Sequence, residues 1–169
     1  MSTPVEIRAF EERDAAGCRA LWAELTNRHR DLYDDPSIGG DDPGSGFDDY
    51  RNEFADARLW VADHDGTVVG FAGLIVQGKR AEIEPVVVSS AERRRGIGRK
   101  LVDAAVETAR AEGIEQVKTR PVARNTDAIG FFHELGFTAL GHVELLADFT
   151  RPVEYWRPGE HVAGRDFDV

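Results

Sequence analysis

Residues 82–113 read EIEPVVVSSAERRRGIGRKLVDAAVETARAEG, and this stretch decides the fold. Val86, Val87 and Val88 form a continuous β-branched run, which suits a strand covered on both faces. Arg93, Arg94 and Arg95 lead into Gly96, Ile97 and Gly98. From there the apolar residues Leu101, Val102, Ala105, Val106 and Ala109 recur at the spacing of one helical stripe. Gly113 stands where a helix that ends in the left-handed conformation needs it.

A strand that turns through glycines into a helix N-terminus makes an anion site. The first-turn N–H groups have no acceptor inside the helix, and the macrodipole adds about 0.3–1 kcal/mol for a nearby negative charge. Gly96 and Gly98 allow positive φ and let a ligand lie against bare backbone, while the arginines add full charges. A pyrophosphate fits such a turn. Read alone, the same residues also fit an ordinary strand, loop and helix with a solvated arginine run. Two phosphate motifs fail on spacing. A Walker loop needs Gly-Lys-Ser/Thr, whereas Gly98 precedes Arg99, Lys100 and Leu101; a dinucleotide fingerprint needs a third small residue where Leu101 stands.

Arg93, Gly96 and Gly98 match the cofactor loop of the GNAT N-acetyltransferase superfamily, which has Arg or Gln, two free positions, Gly, one free position, then Gly or Ala. Asn125, Ala128, Phe132, Gly136 and Phe137 fall at the spacing of a second family segment. The chain therefore resembles that superfamily from about Arg58 to Phe149, weakly before Tyr50 and not after about Arg151. The resemblance implies an α/β (α+β) fold, with a mixed, mostly antiparallel central sheet of about six to seven strands. About four helices flank it, and it splays between strands four and five. It also implies acetyl-CoA as cofactor. Val86, Val87 and Val88 would face the pantetheine arm. Arg93, Arg94, Arg95, Gly96, Ile97, Gly98 and Arg99 would hold the pyrophosphate, with Asn125 and Phe132 as further contacts.

The chain has 169 residues, one domain by length, with residues 158–169 as a tail. A single Cys18 excludes an internal disulfide and suits a reducing compartment. No signal-peptide pattern or long apolar span appears, so a soluble cytoplasmic protein with no membrane partner is expected. The formal charge is −10, from 31 acids against 21 bases, of which 18 are arginine. That balance argues against nucleic acid as a partner. It would suit a saline cytoplasm, where acidic self-repulsion is screened, and equally a genome that favours arginine codons.

Val5–Phe10 reads as a first strand, followed by a helix capped by Asp14 and carrying Cys18, Leu21, Trp22 and Leu25 on its apolar face. Aspartates and glycines between Asp31 and Asp49 form a loop, and Phe47, Tyr50, Phe54 and Ala57 suggest a short helix. In the resembled family this region covers the acceptor site, so its aspartates could attract a cationic amine. Otherwise they are solvated surface. Arg58–Ala62 and Thr67–Val76 read as strands joined by His-Asp-Gly, and Arg80–Ser89 continues the meander. Pro85 lacks an N–H and should mark a bulge. Gln116–Arg120 reads as a fifth strand and Thr126–Leu135 as a helix. His142–Phe149 reads as a further strand, paired near Val153–Trp156, and the tail beyond Pro158 shows no usable period. Trp156 and Phe167 in the tail offer a surface to a second subunit, which makes a homodimer the expected oligomer.

The five histidines show no metal-binding spacing and no second cysteine could complete a zinc site, so no metal is expected. Acetyl transfer to an amine needs the amine neutral, which costs about 4.6 kcal/mol at pH 7 for a lysine side chain and about 1 kcal/mol for a terminal amine. A carboxylate can accept that proton. Glu84 stands where many members of the resembled family carry an acid, and Glu82, two residues earlier on the same face, is the second candidate. Either could instead be a solvated strand residue. At Phe132 many members carry a tyrosine held to protonate the leaving thiolate, and a phenyl ring has no proton to give. The expected activity is direct transfer of an acetyl group from acetyl-CoA to a primary amine, small-molecule or peptide. The alternatives are a catalytically weak acyl-CoA-binding module and a structural protein whose Gly-x-Gly turn is incidental.

Overall fold

The computed structural model describes residues 4–169. The chain forms two compact units, residues 1–120 and 121–169. The first holds a five-stranded sheet in the order β1-β2-β3-β4-β5, built from Glu6–Ala9, Arg58–His64, Thr67–Gln77, Arg80–Val88 and Gln116–Lys118. Neighbours are antiparallel except β4 and β5, which run parallel and pair only from Arg80–Gln116 to Glu82–Lys118. Beyond Glu82 no strand among the described residues lies beside that edge of β4.

Helices α1 (Ala15–Tyr33) and α2 (Ser45–Glu53) cover one face of the sheet, and α3 (Ile97–Ala111) covers the other. Cys18, Leu21, Phe47, Val61, Phe71 and Val87 form the core under α1 and α2. Ala62, Val69, Ala72, Ile97 and Leu101 form the core under α3. Val87 and its neighbours Val86 and Val88 thus pack on opposite sides, as a strand covered on both faces requires. Cys18 is fully buried and its thiol is pushed up to about 12, chiefly by burial, so it is an inert core residue.

The His64–Thr67 hairpin closes through Asp65 and Gly66, both left-handed, the conformation a two-residue turn demands. Gly113, at φ +71, follows the end of α3, where its N–H and that of Ile114 bond back to Arg110 and Ala109. Asp14 precedes α1, yet its carboxylate does not cap that helix. It accepts two hydrogen bonds from Arg8 and one from the Glu11 N–H, each 2.8 Å. Arg8 also binds Asp63, tying β1 and β2 to the start of α1, and its hydrogen bonds, with its charge, hold both carboxyls below the usual range.

The second unit contains α4 (Thr126–Glu134) and a hairpin of β6 (Pro158–Val162) and β7 (Arg165–Asp168). The described residues therefore form seven strands and four α-helices, two of the strands in this separate hairpin. Residues 142–149 form no strand, and Val153–Tyr155 is a single 3-10 turn rather than its partner. The tail that looks patternless is the hairpin, closed by Ala163 and Gly164 in left-handed conformation. Leu140, Leu145, Leu146 and Phe149 are exposed. No helix among the described residues is long and apolar enough to cross a membrane, and none of their His, Cys, Asp and Glu side chains cluster as a metal site.

Candidate functional site

Strand β4 positions the candidate residues of the first unit. Its pairing with β3 is regular from Gln77–Arg80 to Leu74–Ile83 and resumes at Ala72–Val86, so Glu84 and Pro85 together face the single residue Gly73. This is the bulge that Pro85 predicts. Gly73 is obligatory here, because a Cβ would lie 2.5 Å from the Glu84 carbonyl oxygen and 2.2 Å from the Tyr50 hydroxyl. Tyr50, on α2, is buried with its ring against Trp22 and Phe54.

The two carboxylates beside the bulge have opposite surroundings. Glu82 is covered, its side chain 10% exposed, and receives Arg120 Nε at 2.5 Å and Lys118 Nζ at 3.0 Å. Burial pushes its pKa up, but the hydrogen bonds from Arg120 and Lys118 outweigh burial and hold it below the usual carboxylate range. Glu84 is 47% exposed, and its only ion pair among the described residues is a loose one of 3.7 Å to Arg120 Nη2. Desolvation in the crowded bulge and the negative charge of Glu82 raise its pKa above the usual range. Two carboxylates pulled apart in this way separate into a permanent anion and a proton acceptor.

At the other end of β4 the chain passes through a 3-10 turn, Ser90–Glu92, into α3. Glu24 of α1 fixes the start of this loop by accepting the Ser90 N–H at 2.9 Å. Arg94 (φ +61) and Gly96 (φ +79) turn it, and Gly96 is the N-cap of α3. Nothing lies within 4 Å of a Cβ built on Gly96, so the space beside the N-cap is clear, and the first-turn N–H groups of Ile97, Gly98 and Arg99 have no acceptor within the helix. The arginines are not equivalent. Arg93 donates to the Val88 carbonyl at 3.2 Å and lines a cleft of about 280 Å³ with Glu24, Asn27, Arg28, Asp31 and Ser90, while Arg95 pairs with Glu92. Arg94 and Arg99 are exposed and make no ion pair among the described residues.

In the second unit Asn125 caps α4, its Oδ1 accepting the Ala128 N–H at 3.2 Å. Phe132 is buried with its ring edge-on to Phe131 and Phe137. The loop expected between Asp31 and Asp49 is shorter, since Asp31 ends up on α1 and Asp48 and Asp49 on α2, and several of these aspartates have structural partners. Asp35 accepts the Ser37 N–H and hydroxyl, and Asp42 and Asp48 both bind Arg19. Sequence reasoning missed Tyr50, Gly73, Lys118 and Arg120. The alternation of Lys118 on β5 with Arg120 just beyond it was a readable signal for a buried acid opposite, but the parallel register that selects Glu82 was not.

Known structures share this architecture. A Trypanosoma brucei acetyltransferase is 26% identical over 85% of this chain and 99% of its own, with TM-score 0.63. A transcriptional regulator from Bacillus halodurans is 27% identical over 86% of this chain and 100% of its own, with TM-score 0.65. An aminoglycoside N-acetyltransferase in complex with CoA shares the fold at 17% identity over 88% of this chain and 97% of its own, with TM-score 0.63. No curated protein matches the chain in sequence. The family model for the acetyltransferase (GNAT) family matches residues 22–137, and the chain belongs to that family.

Proposed function

We propose that the protein is an acetyl-CoA-dependent N-acetyltransferase that moves the acetyl group directly to a primary amine in a ternary complex. The carrying observation is that one strand, β4, bears a carboxylate of raised proton affinity at its bulge and leads into an open backbone anion loop at its end. Acetyl-CoA, when bound, supplies an acetyl thioester. The loop fits a pyrophosphate, because the first turn of α3 offers N–H donors and Gly96 leaves the volume above them clear. Arg94 and Arg99 add charge there. Between loop and bulge, the edge of β4 that has no strand beside it offers backbone groups to an extended amide-bearing arm.

Glu84 accepts the proton that the amine must lose, and its raised pKa brings it closer to that task than an ordinary glutamate. Glu82 stays ionised and holds Arg120 and Lys118 in place. Asn125 and Phe132 enter the proposal through the family resemblance alone. Phe132 also supports a second reading, a weak or silent acyl-CoA-binding module, since it cannot protonate a leaving group. Proton transfer by a side chain is worth about 10² to 10⁴ in rate, while holding reactants together supplies about 7–11 kcal/mol, so its lack slows transfer without abolishing it. Calorimetry with acetyl-CoA and a thiol-release assay over a panel of amines separate the readings. Binding with amine-dependent release supports the enzyme, binding without release supports the module, and no binding removes both.

A further inference from the structure

Tyr50 carries the one feature of the bulge that the proposed chemistry does not use. Its side chain is 5% exposed, and its hydroxyl makes no hydrogen bond among the described residues. Buried polar groups are nearly always paired, and an unmade bond at a buried donor is costly. The ring is packed between Trp22 and Phe54, so the hydroxyl lies in the notch left by Gly73, which the Glu84 carbonyl also borders.

We propose that Tyr50 is a positioning residue for Glu84, its hydroxyl donating a hydrogen bond to the ionised Glu84 carboxylate through the notch at Gly73. Glu82 is the other acid near this hydroxyl, and its two oxygens are already taken by Arg120 and Lys118. Glu84 is engaged only by the loose 3.7 Å contact to Arg120 among the described ion pairs, which leaves it acceptor capacity, and its side chain is half-exposed. The charged groups that face Glu84 are Glu82 on β4, Arg120 beyond β5 and Glu53 on α2. Burial and the two acids hold the Tyr50 phenol in its neutral form, above its ordinary pKa, so it is a donor at every working pH. A hydrogen bond to the charged form opposes the upward pull of burial and of Glu82. Tyr50 thus favours the ionised, proton-accepting form of Glu84 against burial and the charge of Glu82.

The inference rests on Glu84 as the base, but its test does not. Carboxyl ¹³C NMR of the glutamate-labelled full chain follows the Glu84 titration, assigned by its loss in Glu84→Gln. In Tyr50→Phe the Glu84 midpoint should rise by about one pH unit, the size expected for one hydrogen bond to a charged group. The acidic limb of kcat/KM should rise with it, with kcat at high pH little changed. Tyr50→Trp, which keeps a large ring but removes the hydroxyl, should shift the midpoint the same way. A purely structural Tyr50 predicts an unmoved midpoint in both variants, and that result overturns the proposal. Full activity in Glu84→Gln would instead remove the base assignment and leave the titration standing.

Discussion

At the C-terminal end of β4 the site is made of backbone N–H donors, with Arg94 and Arg99 exposed beside them and in no ion pair among the described residues, whereas the bulge holds one half-exposed carboxylate, Glu84, beside a covered one, Glu82, and a buried tyrosine. The loop's chemistry comes from chain conformation, which most side-chain changes leave intact. The bulge's chemistry comes from individual charges, each set by its neighbours. The same strand therefore holds a site that tolerates substitution and a site that does not.

The sharpest way to break this contrast is Glu84→Gln. It should lower kcat/KM by about 10² to 10⁴ while leaving the Kd for acetyl-CoA unchanged by calorimetry. Equal losses in both would merge the two sites into one. Gly96→Val should do the reverse, weakening acetyl-CoA by roughly a hundredfold. A β-branched residue pays about 1–2 kcal/mol to hold positive φ, and its side chain fills the space that the structure leaves clear. An affinity equal to the parent's would mean the loop holds something else. Arg94→Ala should be the mildest, a loss of a fewfold in affinity that shrinks further with salt, since an exposed charge contributes about 0.2–1 kcal/mol. A loss as large as that of Gly96→Val would show that side chains rather than backbone carry the anion.

How much of this was legible in the sequence depended on how local each signal was. The loop, α3 with its Gly113 ending and the His-Asp-Gly hairpin each follow from residues within a few positions of one another, and each is present. Pro85 marks its bulge because a missing N–H is a property of one residue. Residues 142–149 show where this fails: their apolar pattern suits a strand, but a strand exists only through a partner, and these residues have none in a sheet. The β6–β7 hairpin hid because Ala163, a residue with no turn preference, takes the first left-handed position. Glu82 and Glu84 were identified together from spacing and family resemblance. Their opposite environments depend on Arg120 and Lys118, which lie about 36 residues onward and meet Glu82 only through the parallel register of β4 and β5. Tyr50 sits on an apolar helix stripe and reads as core, which it also is.

The claim that matters most is that the two carboxylates are pulled apart and that Glu84 is the proton acceptor. The direct test is the pH dependence of kcat/KM for the parent and Glu82→Gln, measured with two amines of different pKa so that the limb belonging to the amine moves between them and the limb belonging to the protein does not. Glu84 must be ionised to act, so the rate should rise with pH through a protein limb above the ordinary glutamate value of about 4.3. That limb should fall in Glu82→Gln, where the repelling charge is gone and Arg120 and Lys118 are released. A protein limb at the ordinary value, or one that Glu82→Gln leaves in place, would contradict the account.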